Sequence, residues 1–302
     1  MSDDNKKFSK RHWLGLLFLM IVLAIFTISQ QMKEDSEDVA SPTMPDIYPE
    51  FAAMYEADGT LGAMYQGTIS GFFDGEIVQN MPVRYVLANG RAVYQGDILI
   101  NPNRPAQASM GVLNVERYIW PDGLVAYEIH PNLPDEFRIH DAIAHWEEQT
   151  SIRFVERTES NSGQYRNYIL FRPGNGCSSY VGMQGGMQPI NLARACSTGN
   201  TIHEIGHALG LWHEQSRIDR DEYVDVVYAN IISLYAFNFD KQTRNGQDLG
   251  EYDYGSIMHY PRWAFSKNGK DTIVPHDENA EIGQRDGLSV GDIDGIVELY
   301  GD

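Results

Sequence analysis

His203-Glu204-Ile205-Gly206-His207-Ala208-Leu209-Gly210-Leu211-Trp212-His213 decides how this chain is read. Its fixed positions spell H-E-x-x-H-x-x-G-x-x-H, three imidazoles with a carboxylate among them. His203 and His207, four apart, lie one turn above each other on a helix, so both rings face one point. Gly210 can take a left-handed backbone and end the helix, which lets the chain double back with His213. On a straight helix His213 would lie about 15 Å further along the axis than His203. A catalytic zinc wants three protein ligands and one open position. His203, His207 and His213 are the predicted ligands of a single Zn2+. Glu204, offset from the ligand row, is the predicted general base acting on water there, the chemistry of peptide hydrolysis.

Beyond this run, Glu214 and the segment Gln215 to Val224 follow the third histidine, and Tyr252-Asp253-Tyr254-Gly255-Ser256-Ile257-Met258-His259-Tyr260 follows further on. Upstream stand Cys177-Ser178-Ser179-Tyr180-Val181-Gly182, Gly185-Gly186 and Cys196, and downstream Ile282 to Ser289. Together these resemble the astacin family of metzincin zinc metalloendopeptidases over about residues 111 to 302. The resemblance implies an α+β, astacin-like metzincin fold with two subdomains flanking a zinc cleft. It implies that Met258 packs beneath the metal and that Tyr260 is an extra ligand that swings away to donate to the developing oxyanion. It implies a disulfide between Cys177 and Cys196, and both export readings given below favour that pairing. One departure stands out: the family's second disulfide, near the first helix and the C-terminus, has Ser151 in place of a cysteine. In several relatives a basic residue near Arg285 favours an acidic side chain just after the scissile bond.

A smaller segment precedes the catalytic part. Met81 to Leu87 and Arg91 to Ile98 flank Asn89-Gly90, a strong hairpin signal. The second strand leads into Tyr94-Gln95-Gly96-Asp97-Ile98, which resembles the family's propeptide motif F-x-G-D-I with Tyr94 for Phe. That resemblance implies that Asp97 ligates zinc in the precursor and keeps it latent. Residues 51–110 are therefore expected to be a small β-rich propeptide and 111–302 the catalytic domain, with the cut between Asn103 and Arg117. In the family the new N-terminus then tucks in near the position of Glu214.

The first 50 residues read differently. Lys6, Lys7, Lys10 and Arg11 lie in a basic segment, 1–12, ahead of the uncharged stretch 13–32. About 20 such residues suffice to cross a bilayer with the basic end in the cytoplasm. A cleaved signal peptide is the competing reading, and the anchor is favoured because no A-x-A site follows the apolar core. Residues 33–50, acidic and proline-containing, read as a linker. Either way the remainder is exported, anchored to the membrane or secreted. The chain has no N-x-S/T sequon, which fits a bacterial source.

Across 302 residues the formal charge is -19, which excludes nucleic acid as a partner. Protein or peptide substrates are expected instead. In the catalytic part, Val125 to Ile129, Ile152 to Val155 and Tyr168 to Arg172 read as strands. Asp135 to Thr150 is an amphipathic helix, and Ser289 caps a last helix carrying Ile293, Ile296, Val297 and Tyr300. Two rival functions remain. A membrane-anchored binding protein with an inactive peptidase fold would have lost a ligand or base, yet every such position is filled. A zinc hydrolase for a non-peptide bond shares the metal chemistry but none of the surrounding segments.

Overall fold

A computed structural model of the chain describes residues 51–73, 76–102, 118–241 and 248–301, with residues 69–81 described by their backbone alone. No helix among them is long and apolar enough to cross a membrane. The stretch 13–32, on which the anchor expectation rests, lies outside the described residues, as do the basic segment, the linker and the expected cut region.

The first sheet is antiparallel, in the order β1 (Ala63–Phe73), β2 (Glu76–Ala88), β3 (Arg91–Tyr94) and β4 (Ile98–Ile100). Asn89 and Gly90 both take positive φ, 50° and 72°, the two left-handed residues of a type I′ turn, and Ala88 pairs with Arg91 across it. The expected single strand from Arg91 to Ile98 is instead two. Gln95 and Gly96 have φ of 45° and 84°, so the chain turns back at Gln95–Asp97 before β4 pairs with β3. The break turns the chain at Asp97.

The second sheet is parallel, with β6 (Arg153–Glu156), β5 (Leu124–Ile129), β7 (Tyr168–Pro173) and β8 (Met187–Leu192) side by side. Two bridges link it to the first: Ser178 pairs antiparallel with Asn191 of β8, and Ser179 pairs parallel with Ile98 of β4. Between β5 and β6 runs α1 (Phe137–Gln149). It begins two residues later than expected because Asp135 sits at φ 59°, outside helical space. Ile139, Ala142, Ile143 and Trp146 form its buried stripe. They pack against α2 (Thr198–Leu209), and the Trp146 indole N–H donates to Ile202 O at 3.2 Å. The short pair β9 (Val224–Val226) and β10 (Ile273–Pro275) and the last helix α3 (Val290–Tyr300) complete the frame.

Two large cores result. The first joins Trp146 and Ile139 of α1, Ile205 and Leu209 of α2, Ile169, Phe171 and Ile190 of the parallel sheet, and Met258. In the second, Phe51, Met54 and Tyr55 and the sheet residues Val86, Val93 and Leu99 pack against Tyr235, Phe239, Tyr260 and Phe265. Met258 and Tyr260 are two residues apart yet belong to different cores, so the turn that carries them spans both. Ser151 Oγ donates to Gly301 O at 3.1 Å, one hydrogen bond where the family has a disulfide.

Candidate active site

Helix α2 is built to hold its histidines still. Ser197 and Asn200 form a reciprocal capping box at its start. At its end Gly210 takes φ 116°, and Gly210 and Leu211 donate back to Gly206 O. The chain then leaves the axis and brings His213 back beside His203 and His207, as the left-handed glycine predicts. Glu204 is fully buried on the same helix. The residue between the motif's fixed positions matters too: a Cβ on Gly206 would lie 2.9 Å from Met258 Sδ, so only glycine lets the methionine approach this closely.

Beneath the helix, Asp292 organises the turn that carries Met258. Its carboxylate accepts from Ser256 Oγ at 2.6 Å and from the Ile257 N–H at 2.9 Å, and it also completes the capping box with Ser289 at the start of α3. Ser289 caps as expected, but nothing in the sequence pointed to the hold on the turn. Arg285 sits on the same backbone. Its Nη1 donates to Ile257 O, His259 O and Gln284 O at 2.9, 3.2 and 2.8 Å.

The Nε2 atoms of the three histidines converge on Asp97. The nearest separations are 3.3 Å to His203, 3.7 Å to His207 and 3.2 Å to His213, and all four side chains are fully buried. Zinc at 2.0 to 2.1 Å from tetrahedral donors requires donors about 3.3 Å apart, so the group has the right dimensions for one ion. Two buried atoms in it, Asp97 Oδ1 and His207 Nε2, make no hydrogen bond. A cation would satisfy both. Two of the imidazoles, those of His203 and His213, are held neutral, as metal ligands must be. Burial, with the nearby Arg285 charge, pushes His203 down to about 3. Burial also pushes His213 down to about 4 despite Asp97. Burial works to raise the Asp97 carboxyl, but His213 and the His203 and His207 rings beside it hold it well below the usual carboxylate range.

Tyr260 is fully buried with its ring 4.7 Å from that of His213, and its hydroxyl donates to Gln95 O at 2.6 Å. In this chain the Asp97 carboxylate faces the three imidazoles while the phenol is engaged by the Gln95 carbonyl. Gln95 was not foreseen; it stands in the variable position of the propeptide-like motif. Its carbonyl engages Tyr260, and its side-chain oxygen lies 3.2 Å from His213 Nδ1.

Behind the site, Glu214 opens onto a cavity of about 490 Å³ that Arg217, Asp253 and Asp292 also line. Burial pushes Glu214 up to about 8, although Arg217 at 3.6 Å and the Asp253 N–H at 2.8 Å oppose the rise. Cys177 and Cys196 are bonded to each other. Of the remaining histidines, His259 is buried against the Tyr252 hydroxyl at 2.6 Å, His145 accepts from the Leu288 N–H, and His276 lies at the surface near Asp225.

Three buried imidazoles sized for one metal, on a capped helix within a mixed α+β frame, define a zinc hydrolase site. The comparisons narrow the class. Residues 112–301 match the model of the Astacin peptidase family. Blastula protease 10 of Paracentrotus lividus is 39% identical over 228 residues, covering 68% of this chain and 38% of that protein. Zinc metalloproteinase nas-4 of Caenorhabditis elegans is 31% identical over 300 residues, covering 95% of this chain and 89% of its own length. Among solved structures, high choriolytic enzyme 1, a hatching enzyme zinc-protease from Oryzias latipes, superposes with a TM-score of 0.56 at 36% identity, covering 64% of this chain and 98% of that one. The chain belongs to the astacin family. It spans only 38% and 40% of Blastula protease 10 and zinc metalloproteinase nas-13. Astacin metalloproteases use one zinc, and the group of His203, His207, His213 and Asp97 is where this chain could hold it.

Proposed function

We propose that the chain is the latent precursor of a zinc metalloendopeptidase acting on proteins or peptides. The observation that carries this reading is the convergence of the three buried Nε2 atoms on one carboxylate, at separations a tetrahedral zinc requires. Bound there, zinc supplies Lewis acidity toward a peptide carbonyl and toward water. Glu204 accepts the proton of the attacking water on a carboxylate oxygen and passes it to the leaving nitrogen. Tyr260 donates its hydroxyl to the developing oxyanion, a contribution of about 3 kcal/mol where such donors have been removed. Met258, packed against Gly206, supports the ligand helix from below.

Latency comes from residues 51–100. Asp97 occupies the position that a peptide carbonyl or water would take, and the Gln95 carbonyl keeps the Tyr260 hydroxyl engaged. The strand after Asp97 is fixed along the edge of the catalytic part, where Leu99 N donates to Ser179 O at 2.6 Å and Ser179 N to Asp97 O at 3.1 Å. After cleavage between Asn103 and Arg117, the new amino terminus enters the acidic cavity and meets Glu214. The Arg285 charge, close enough to depress His203 and His213, biases the site toward an acidic residue just after the scissile bond. The stretch 13–32 directs export as an anchor or a cleaved signal, in line with a family whose members are typically secreted or extracellular.

Glu204→Gln is the direct test. The processed variant should bind one zinc and melt like the parent, yet lose peptide hydrolysis by about 10²-fold to 10⁴-fold. Undiminished cleavage of a casein or peptide-library substrate would remove Glu204 from the mechanism.

A further inference from the structure

We propose that Gln95 is a metal-positioning residue, whose side-chain oxygen orients His213 so that the precursor segment retains zinc as well as blocking the cleft. The inference rests on the zinc reading above. A histidine that binds metal through Nε2 carries its proton on Nδ1, and an acceptor at Nδ1 fixes both ring and tautomer.

His203 and His207 find that acceptor within the catalytic part. Their Nδ1 atoms lie 2.8 Å from Ile257 O and 2.8 Å from Leu211 O. Both carbonyls remain when residues 51–100 depart. His213 differs, because its Nδ1 faces Gln95 Oε1 at 3.2 Å, in the turn between β3 and β4.

The orientation of the Gln95 amide follows from its other contacts. Its Nε2 is directed at Asp240 O, 3.4 Å away, and at the Tyr94 hydroxyl, 3.5 Å away. A carbonyl can only accept, so the NH2 group must face Asp240 and the oxygen must face His213. That oxygen can in turn only accept, which puts the His213 proton on Nδ1 and leaves the Nε2 lone pair toward the metal. The residue has no freedom to turn away: it is fully buried, its backbone is left-handed at φ 45°, and its carbonyl accepts from Tyr260. Release of the segment therefore removes the acceptor of one ligand in three. Zinc is held more firmly before processing than after, and metal loading precedes activation.

The test follows zinc release from the full-length, zinc-loaded precursor into an excess of a chromogenic chelator. Gln95→Leu has no acceptor. Gln95→Asn tolerates the left-handed backbone but its oxygen is one carbon short of His213. Both should release zinc about 10-fold to 100-fold faster than the parent, the usual cost of losing such a partner. Gln95→Glu, protonated in this buried site so that its hydroxyl takes the place of the amide N–H toward Asp240 O, keeps an accepting oxygen toward His213 and should release zinc near the parental rate. Matching melting temperatures of the metal-free proteins separate this effect from unfolding; if the Leu variant does not fold, the Asn variant gives the answer. Parental release rates in the Leu and Asn variants, or a Glu variant as fast as they are, would reduce Gln95 to a turn-forming residue. A parent chain that takes up no stoichiometric zinc would overturn the site reading as well.

Discussion

Glu214→Gln should stabilise the precursor increasingly as the solution is made alkaline. The Glu214 side chain is only 15% exposed, so solvent screens it weakly. Burial is the largest influence on it. Arg217 and the Asp253 N–H offset burial in part, while Asp292 and Asp253 add to it, and the carboxyl rises from 4.5 to about 8. A carboxyl that binds its proton more tightly when folded contributes its full stability below pH 4.5 and loses it as pH rises through 8. The gap between those two values, at 1.36 kcal/mol per pH unit, sets a ceiling of about 5 kcal/mol. Most of that loss is reached by pH 8, and Gln, which cannot ionise, escapes it. For a chain this size a stability change of 1 kcal/mol moves the melting temperature by about 2 to 4 °C. The variant should therefore gain several degrees on the parent between pH 5 and pH 9. Calorimetry of both full-length, zinc-loaded proteins across that window gives the difference directly, and titrating groups that do not interact with Glu214 cancel in it. Parallel melting curves, or a variant that loses ground toward pH 9, would refute the account of Glu214 as a carboxyl that burial keeps protonated to about pH 8.

Other expectations concern the metal site. Asp97→Ala should give an unprocessed chain with measurable activity on a short peptide, above the silent parent precursor. That activity should stay below the processed domain's, because Tyr94, Gln95 and β4 still fill the cleft; a silent variant would assign latency to steric blockage alone. Acid should strip the metal. His203 and His213, pushed down to about 3 and about 4, are held neutral in the fold, so the stability they contribute is present above pH 6.5 and is lost as pH falls toward those values. Calorimetry should find the melting temperature falling as pH drops below 6.5, and metal analysis after buffer exchange should find zinc leaving as pH passes through about 4 toward 3; a folded chain already free of zinc at pH 6 would contradict the buried ligand set.

The features that sequence made legible are those in which one local rule acts alone. Spacing alone aligns His203 and His207, Gly210 marks the helix end, Asn89-Gly90 fixes its turn, and Ser289 starts its helix. Legibility fails where the chain meets itself at long range. A glutamine within a turn carries no mark of a histidine 118 residues away. Asp292 reads only as part of the helix that Ser289 caps, yet its carboxylate also accepts from a backbone N–H 35 residues upstream. Gly206 occupied a free position of the motif, and only the fold shows that Met258 packs where a Cβ on it would stand. The strand predicted through Gln95 failed for a similar reason. Alternation in sequence could not anticipate that burial beside three histidines would draw that residue into a left-handed turn.

The Cys177–Cys196 bond has a consequence for where the enzyme can work. Cys196 immediately precedes Ser197, the cap of the zinc helix, and Cys177 lies two residues before Ser179, which grips the backbone of Asp97. One covalent link thus ties the first turn of the ligand helix to the edge on which Asp97 and β4 are held. Closing a loop with a sequence separation of 19 removes about 3 kcal/mol of chain entropy from the unfolded state. In a reducing medium the helix start and the cleft edge would be free to drift apart, and metal affinity and latency would weaken together. Redox potential would thereby bear on this site without acting on either the zinc or the scissile peptide, and an oxidising compartment is where such a bond persists.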